Sequence, residues 1–173
     1  MHEAIPGHYV QSWHARRSPA DTVWKNLFAS GAFSEGWSVF AEETMFDYGY
    51  AEGEPECLLI HQKINLRNAL NAIIDQTFHT RPMTDAEADA WALDLLVRKG
   101  FQEEPEARAK IRRAKITSTQ LSTYYVGRTE IAALLRAWER KKGEEFNLRE
   151  FMDTVLSFGP VPPREIRKLM LDE

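Results

Sequence analysis

Residues Pro55 to Gly100 read PECLLIHQKINLRNALNAIIDQTFHTRPMTDAEADAWALDLLVRKG, and this stretch decides the fold. Leu59, Ile60, Ile64, Leu66, Leu70, Ile73 and Ile74 recur as the apolar stripe of a long helix over residues 55–79, with no strand-type alternation among them. Thr84-Asp85-Ala86-Glu87 is a capping box, so a second helix opens there. It ends at Gly100, with Arg98 and Lys99 in the last turn, where cations complement the helix dipole.

The same signals continue in both directions. A helix is expected over residues 2–16, disturbed at Pro6-Gly7, and another over 35–47, after the small-residue stretch Ala29-Ser30-Gly31-Ala32. Pro105 suits a helix first turn. A long segment over 120–142 closes at Gly143, and Asn147 caps a helix that reaches Phe158. A short last helix follows the Gly159–Pro163 loop. No hairpin dipeptide and no internal repeat is present. The expectation is a single all-α domain over residues 1–173, with about seven helices.

Composition narrows the function. A chain of 173 residues, 43% hydrophobic and 28% charged, can bury a core and is not disordered by default. A net charge of −4 argues against nucleic acid as the main partner. No run of about 18 apolar residues is present, so no membrane span is expected. Cys57 is the single cysteine and cannot close an internal disulfide. Met1-His2-Glu3-Ala4 has no basic region leading into an apolar stretch, so the chain as given reads as cytoplasmic, although a longer parent could be exported. The basic run Arg108, Lys110, Arg112, Arg113 and Lys115 reads as a solvated helix face. Trp24, Trp91 and Trp138 read as core, and His14 and His61 as surface or packing residues.

The chemistry-bearing residues open the chain: His2-Glu3-Ala4-Ile5-Pro6-Gly7-His8. In the zinc-peptidase pattern H-E-x-x-H, two histidines one helical turn apart grip one metal. Here the spacing is six, which on a regular helix places the second ring about 240° around the axis from the first. A shared metal therefore requires the helix to be broken between them. Pro6 removes a backbone donor and Gly7 permits unusual dihedrals, so the break belongs there. Without such a break, the segment is a helix start with two exposed histidines. A hydrolytic zinc also needs a third protein ligand and an open position. Glu35 and Glu42 lie seven apart, about 20° from alignment on one helix face, and both are candidates. Glu43 lies about 80° beyond that face. Ser34 is read as the cap that places Glu35 at the helix start.

H-E-A-I-P-G-H-Y-V-Q followed by S-E-G-W-S-V-F-A-E resembles a bacterial family designated a domain of unknown function, number 885. That family looks like a branch of the gluzincin metallopeptidases. Its patterns H-E-A-x-P-G-H-x-x-Q and E-G-W-x-x-Y-x-E are both matched, with Phe40 in place of the usual Tyr. Arg67, Asp75 and His79 are similar to its R…D-x-x-x-H stretch. Gln120, Tyr124 and Gly127 resemble its G-Q-x-x-x-Y-x-x-G, with Thr119 in place of the first Gly. Phe151-Met152-Asp153, Gly159 and Pro162 resemble its last block.

The resemblance implies a zinc-dependent hydrolase acting on peptide substrates; that no membrane or nucleic-acid partner is expected follows from the composition and charge above. His2, His8 and Glu35 would hold Zn2+, Glu42 would orient a histidine, and Glu3 would take the proton from the zinc-bound water. Tyr124 and His79 would donate to the oxyanion or bind substrate; read without the resemblance, they are a buried aromatic and a helix C-terminal histidine. Family members are much longer, with most of the extra length before the H-E-A motif. The chain therefore reads as the C-terminal catalytic portion of a longer architecture. The counterpart expectation is a non-catalytic fragment or partner-binding module with an incomplete metal site, lacking an N-terminal half or self-associating through apolar surface.

Overall fold

A computed structural model describes residues 1–17 and 29–172 of the protein. Among these residues there are eight α-helices and no strand. They are α1 (His8–Ala15), α2 (Gly31–Asp47), α3 (Pro55–Thr80), α4 (Asp85–Asp94), α5 (Glu104–Ile116), α6 (Thr123–Lys142), α7 (Leu148–Ser157) and α8 (Pro163–Leu171). The all-α expectation holds. Trp24 lies outside the described residues.

The chain forms two compact units. The first comprises residues Met1–Tyr48 and Val126–Glu173, the second Gly49–Tyr125. In the first unit, Phe33, Trp37 and Phe40 of α2 pack with Ile131, Leu134 and Trp138 of α6, Phe151 and Val155 of α7, and Ile166 and Met170 of α8. Phe40 is buried and packs its ring against that of Phe151.

Helix α2 begins four residues before the expected Glu35, and its cap is Ser30, not Ser34. The Ser30 hydroxyl accepts from Phe33 N–H at 3.2 Å, and its own N–H donates to the carbonyl of Pro160 at 2.9 Å. The small residues there serve a close crossing with α6. A Cβ on Gly36 would lie 2.3 Å from the carbonyl carbon of Gly127, and one on Gly127 would lie 1.8 Å from the carbonyl oxygen of Ala32. Two helix backbones in contact cannot admit a methyl group between them.

In the second unit, Leu70 and Ile74 of α3 pack with Ala92 and Leu96, Ala107, Ile111 and Ala114 of α5, and Leu121; Trp91 packs against this core. Of the stripe read along α3, Leu70 and Ile74 are buried. Leu59 is 71% exposed, and Ile60, Ile64 and Ile73 are exposed as well. Helix α4 opens on the expected capping box and widens into a π-turn, Leu95–Lys99, whose last bond runs from Gly100 N–H to the Leu95 carbonyl. Asn147 caps α7 as read, accepting from Glu150 N–H at 3.0 Å.

Helix α6 opens at Thr123, three residues later than expected. The missing residues are organised by the buried carboxylate of Asp75. It accepts from Thr119 N–H at 3.0 Å, Ser122 N–H at 2.9 Å and the Ser122 hydroxyl at 2.8 Å. Thr119 sits there at φ +67°, in the left-handed region that disfavours a β-branched residue. The basic face of α5 is solvated except at Lys110, whose side chain is only 11% exposed.

Candidate metal centre

The helix expected over residues 2–16 begins at His8. Residues before it form an open turn that includes a cis Ile5-Pro6 bond. Three of its hydrogen bonds span six residues where an α-helix spans four. Gly7 N–H donates to the Met1 carbonyl at 3.2 Å, His8 N–H to the His2 carbonyl at 2.8 Å, and Tyr9 N–H to the Glu3 carbonyl at 3.2 Å. This widening undoes the angular mismatch of a six-residue spacing, because His8 now stacks beside His2. The two imidazole centroids are 4.9 Å apart and nearly perpendicular.

Gly7 is a requirement of this turn. A Cβ there would lie 1.8 Å from the His2 carbonyl oxygen and 2.6 Å from that of Met1. Two α2-facing contacts hold the turn. The Trp37 indole N–H donates to the Pro6 carbonyl at 3.0 Å, and the Gln11 amide N–H donates to the Phe33 carbonyl at 3.3 Å. Both Trp37 and Gln11 are buried.

Helix α2 supplies the carboxylates. Glu35 Oε2 lies 3.4 Å from His2 Nε2 and 3.5 Å from His8 Nε2. Glu42 Oε1 lies 3.2 Å from His2 Nδ1. Seven residues apart on one helix, the two acids grip opposite edges of one imidazole, as the shared-face reading expects. Glu43 is turned away and pairs with Arg128 at 2.5 Å. Glu3 is exposed, and one of its carboxylate oxygens lies within 4.8 Å of ring nitrogens of both His2 and His8.

The electrostatics favour a cation. Hydrogen bonding to Glu35, then to Glu42, raises the His2 imidazole from 6.5 to about 9, against the opposing effect of burial. A field that holds a proton so firmly also attracts a metal ion, which must displace that proton to bind.

The donor set fits zinc. Ligands about 2 Å from one tetrahedral zinc stand roughly 3.3 Å from one another. The two Nε2-to-Glu35 separations, 3.4 and 3.5 Å, are close to that edge. Both rings direct Nε2 at Glu35, while each Nδ1 has a protein partner. For His8 these partners are the Ser38 hydroxyl at 3.0 Å and Gln11 Oε1 at 3.3 Å. Histidines that bind metal ordinarily have the second nitrogen held in this way.

His79 and Tyr124 belong to the second unit. His79 Nε2 donates to the Ala114 carbonyl at 3.0 Å and lies 3.6 Å from Asp75. Tyr124 sits half-buried at the start of α6. His61 is buried and bonded to Asn65, and His14 is half-buried on α1. Two residues at the centre had no role assigned from sequence. Gln11 was visible only as the last letter of H-E-A-x-P-G-H-x-x-Q, and Ser38 had no signal at all.

The opening turn gathers two imidazoles against two carboxylates of the next helix, donors of the kind a divalent metal ion takes. The chain belongs to the family described as bacterial protein of unknown function (DUF885), whose model matches residues 1–170. It is similar to a solved candidate lipoprotein of unknown function from Shewanella oneidensis, with 40% identity and a TM-score of 0.90 over 98% of this chain. A candidate lipoprotein from Colwellia psychrerythraea is also similar, with 25% identity and a TM-score of 0.88 over 99% of this chain. The matches cover 30% and 28% of those relatives, so this chain spans under a third of their length. No match is found among curated proteins.

Proposed function

We propose that this chain is the metal-bearing catalytic portion of a zinc-dependent, gluzincin-like peptidase, in which water attacks a peptide carbonyl. The observation that carries this reading is the meeting of His2 Nε2 and His8 Nε2 at Glu35 Oε2, at 3.4 and 3.5 Å. His2, His8 and Glu35 would hold the metal. Zinc, when bound, supplies a Lewis acid and lowers the pKa of water to about 7.

The remaining steps fall to the chain's own side chains. Glu42 holds His2 through Nδ1 and so keeps Nε2 turned to Glu35. Glu3, exposed beside both rings, accepts a proton from the attacking water on a carboxylate oxygen and returns it to the leaving amine.

The coverage of the solved relatives supports placing this portion within a longer architecture. Exposed Leu58, Leu59 and Ile60 at the start of α3 are the kind of surface that such an architecture would cover. The description of both relatives as candidate lipoproteins favours an exported parent over a cytoplasmic one. Among the described residues, no helix is long and apolar enough to cross a membrane. The same coverage favours one second reading, a non-catalytic module that binds metal without turnover.

Glu3→Gln separates the readings. Hydrolysis of a peptide library should be abolished while zinc content is unchanged. Turnover retained in the variant would refute the assignment of Glu3. Absence of turnover in the zinc-loaded parent chain would favour the non-catalytic module. Cleavage of small esters alone would move the substrate class away from peptides.

A further inference from the structure

Gln11 is buried on α1, one turn after His8, with both ends of its amide engaged. The Phe33 carbonyl oxygen can only accept, so the amide atom 3.3 Å from it must be the NH2 group. That orientation leaves Gln11 Oε1 facing His8 Nδ1 at 3.3 Å. Oε1 can only accept as well, so this contact is a hydrogen bond only when the hydrogen sits on Nδ1 of His8; the acceptor facing Nε2, Glu35 Oε2, is farther away at 3.5 Å. A neutral imidazole with its hydrogen on Nδ1 has its lone pair on Nε2, the nitrogen 3.5 Å from Glu35 Oε2. Ser38, whose hydroxyl is 3.0 Å from the same Nδ1, cannot make this choice, because a hydroxyl serves either tautomer.

We infer that Gln11 is a positioning residue that selects the Nδ1–H tautomer of His8, so that Nε2 is presented as a ready metal ligand. The chain of constraint runs from the α2 backbone at Phe33, through Gln11, to the ring. An amide does this without charge. A carboxylate at the same place would be a fourth acid around the pair of rings, after Glu3, Glu35 and Glu42. His2 illustrates the contrast, since it is held between two carboxylates. The link to metal binding rests on the zinc reading above, but the tautomer itself does not.

The test is read first on the metal-free chain. Long-range 1H–15N correlation of the histidine-labelled protein, at a pH where His8 is neutral, reports which nitrogen bears the hydrogen. The expected result is Nδ1–H, the reverse of the preference of a free imidazole side chain in water. It should persist in Ser38→Ala and shift toward Nε2–H in Gln11→Met. An Nε2–H ring in the parent chain, or a ring unchanged by Gln11→Met, would overturn the inference. Should Gln11→Met fail to fold, Gln11→Asn, too short to span Phe33 and His8, gives the same comparison. Zinc affinity, by chelator competition, is the second readout. Gln11→Met is expected to lose 10- to 100-fold, on the order seen for second partners of metal-binding histidines. A correct tautomer in a parent chain that takes up no zinc would refute the metal reading and leave the tautomer assignment standing.

Discussion

His8 donates its backbone N–H to the carbonyl of His2 at 2.8 Å, six residues back, and this bond makes one site of two histidines that a regular helix would separate. The bond exists because Gly7, between them, has no Cβ. A Cβ there would sit 1.8 Å from the same His2 carbonyl oxygen.

Gly7→Ala is therefore expected to open the turn. Zinc affinity should fall by about 100-fold or more, the upper range for a disturbed ligand environment. Global stability should fall by about 1–3 kcal/mol, the usual cost of overpacking. Chelator competition and urea unfolding measure the two effects separately. A variant that binds zinc as the parent does would show that the turn is not what unites the rings.

The crossing of α2 and α6 makes a similar demand. Gly127→Ala would place a methyl group 1.8 Å from the Ala32 carbonyl, backbone against backbone. A loss of about 3 kcal/mol, the upper part of the overpacking range, is expected in urea unfolding. A loss below about 0.5 kcal/mol, as for an ordinary surface change, would mean the helices do not touch there.

Thr119 predicts a gain. A left-handed backbone costs a non-glycine residue about 1–2 kcal/mol, partly recovered by the lower chain entropy of a non-glycine residue when unfolded. Thr119→Gly should keep the amide that donates to Asp75 and stabilise the chain by up to about 1 kcal/mol. A destabilised variant would show that the threonine side chain contributes more than its backbone costs.

Lys110 predicts a pH dependence of stability. Burial, with Arg67 and then Arg113 nearby, lowers its amine from 10.5 to about 8. Between those values the unfolded chain holds a proton that the folded chain has released, so stability rises with pH across the window. The penalty is present in full below about pH 8 and is relieved as pH rises toward 10.5. Lys110→Met should flatten the rise and be the more stable chain at neutral pH. Parallel stability curves for parent and variant across pH 7–10.5 would exclude Lys110 as its source.

Much of the fold was legible because its signals are local. The Thr84 capping box, the Asn147 cap and the alignment of Glu35 with Glu42 each depend on a few neighbouring residues, and each is found where it was read. What escaped the sequence depends on partners far along the chain. Gly31 and Ala32 read as preceding the helix that begins at Gly31, and nothing near them in the sequence signals that the Ala32 carbonyl lies against Gly127. Leu59 and Ile60 read as core because they are apolar on a helix, but burial is decided by what packs against them. At the site, Pro6-Gly7 pointed to a break between the histidines, whereas the six-residue hydrogen bonds that make it useful had no signature. Gln11 was a letter in a motif until the Phe33 carbonyl fixed which way its amide points.

Metal content is the most direct test of the central claim that His2, His8 and Glu35 form one zinc site. The purified chain, prepared without chelator and without added metal, would be measured by elemental analysis beside His8→Ala. The account predicts about one zinc per chain in the parent and essentially none in the variant. Equal zinc in both, or none in the parent, would contradict it.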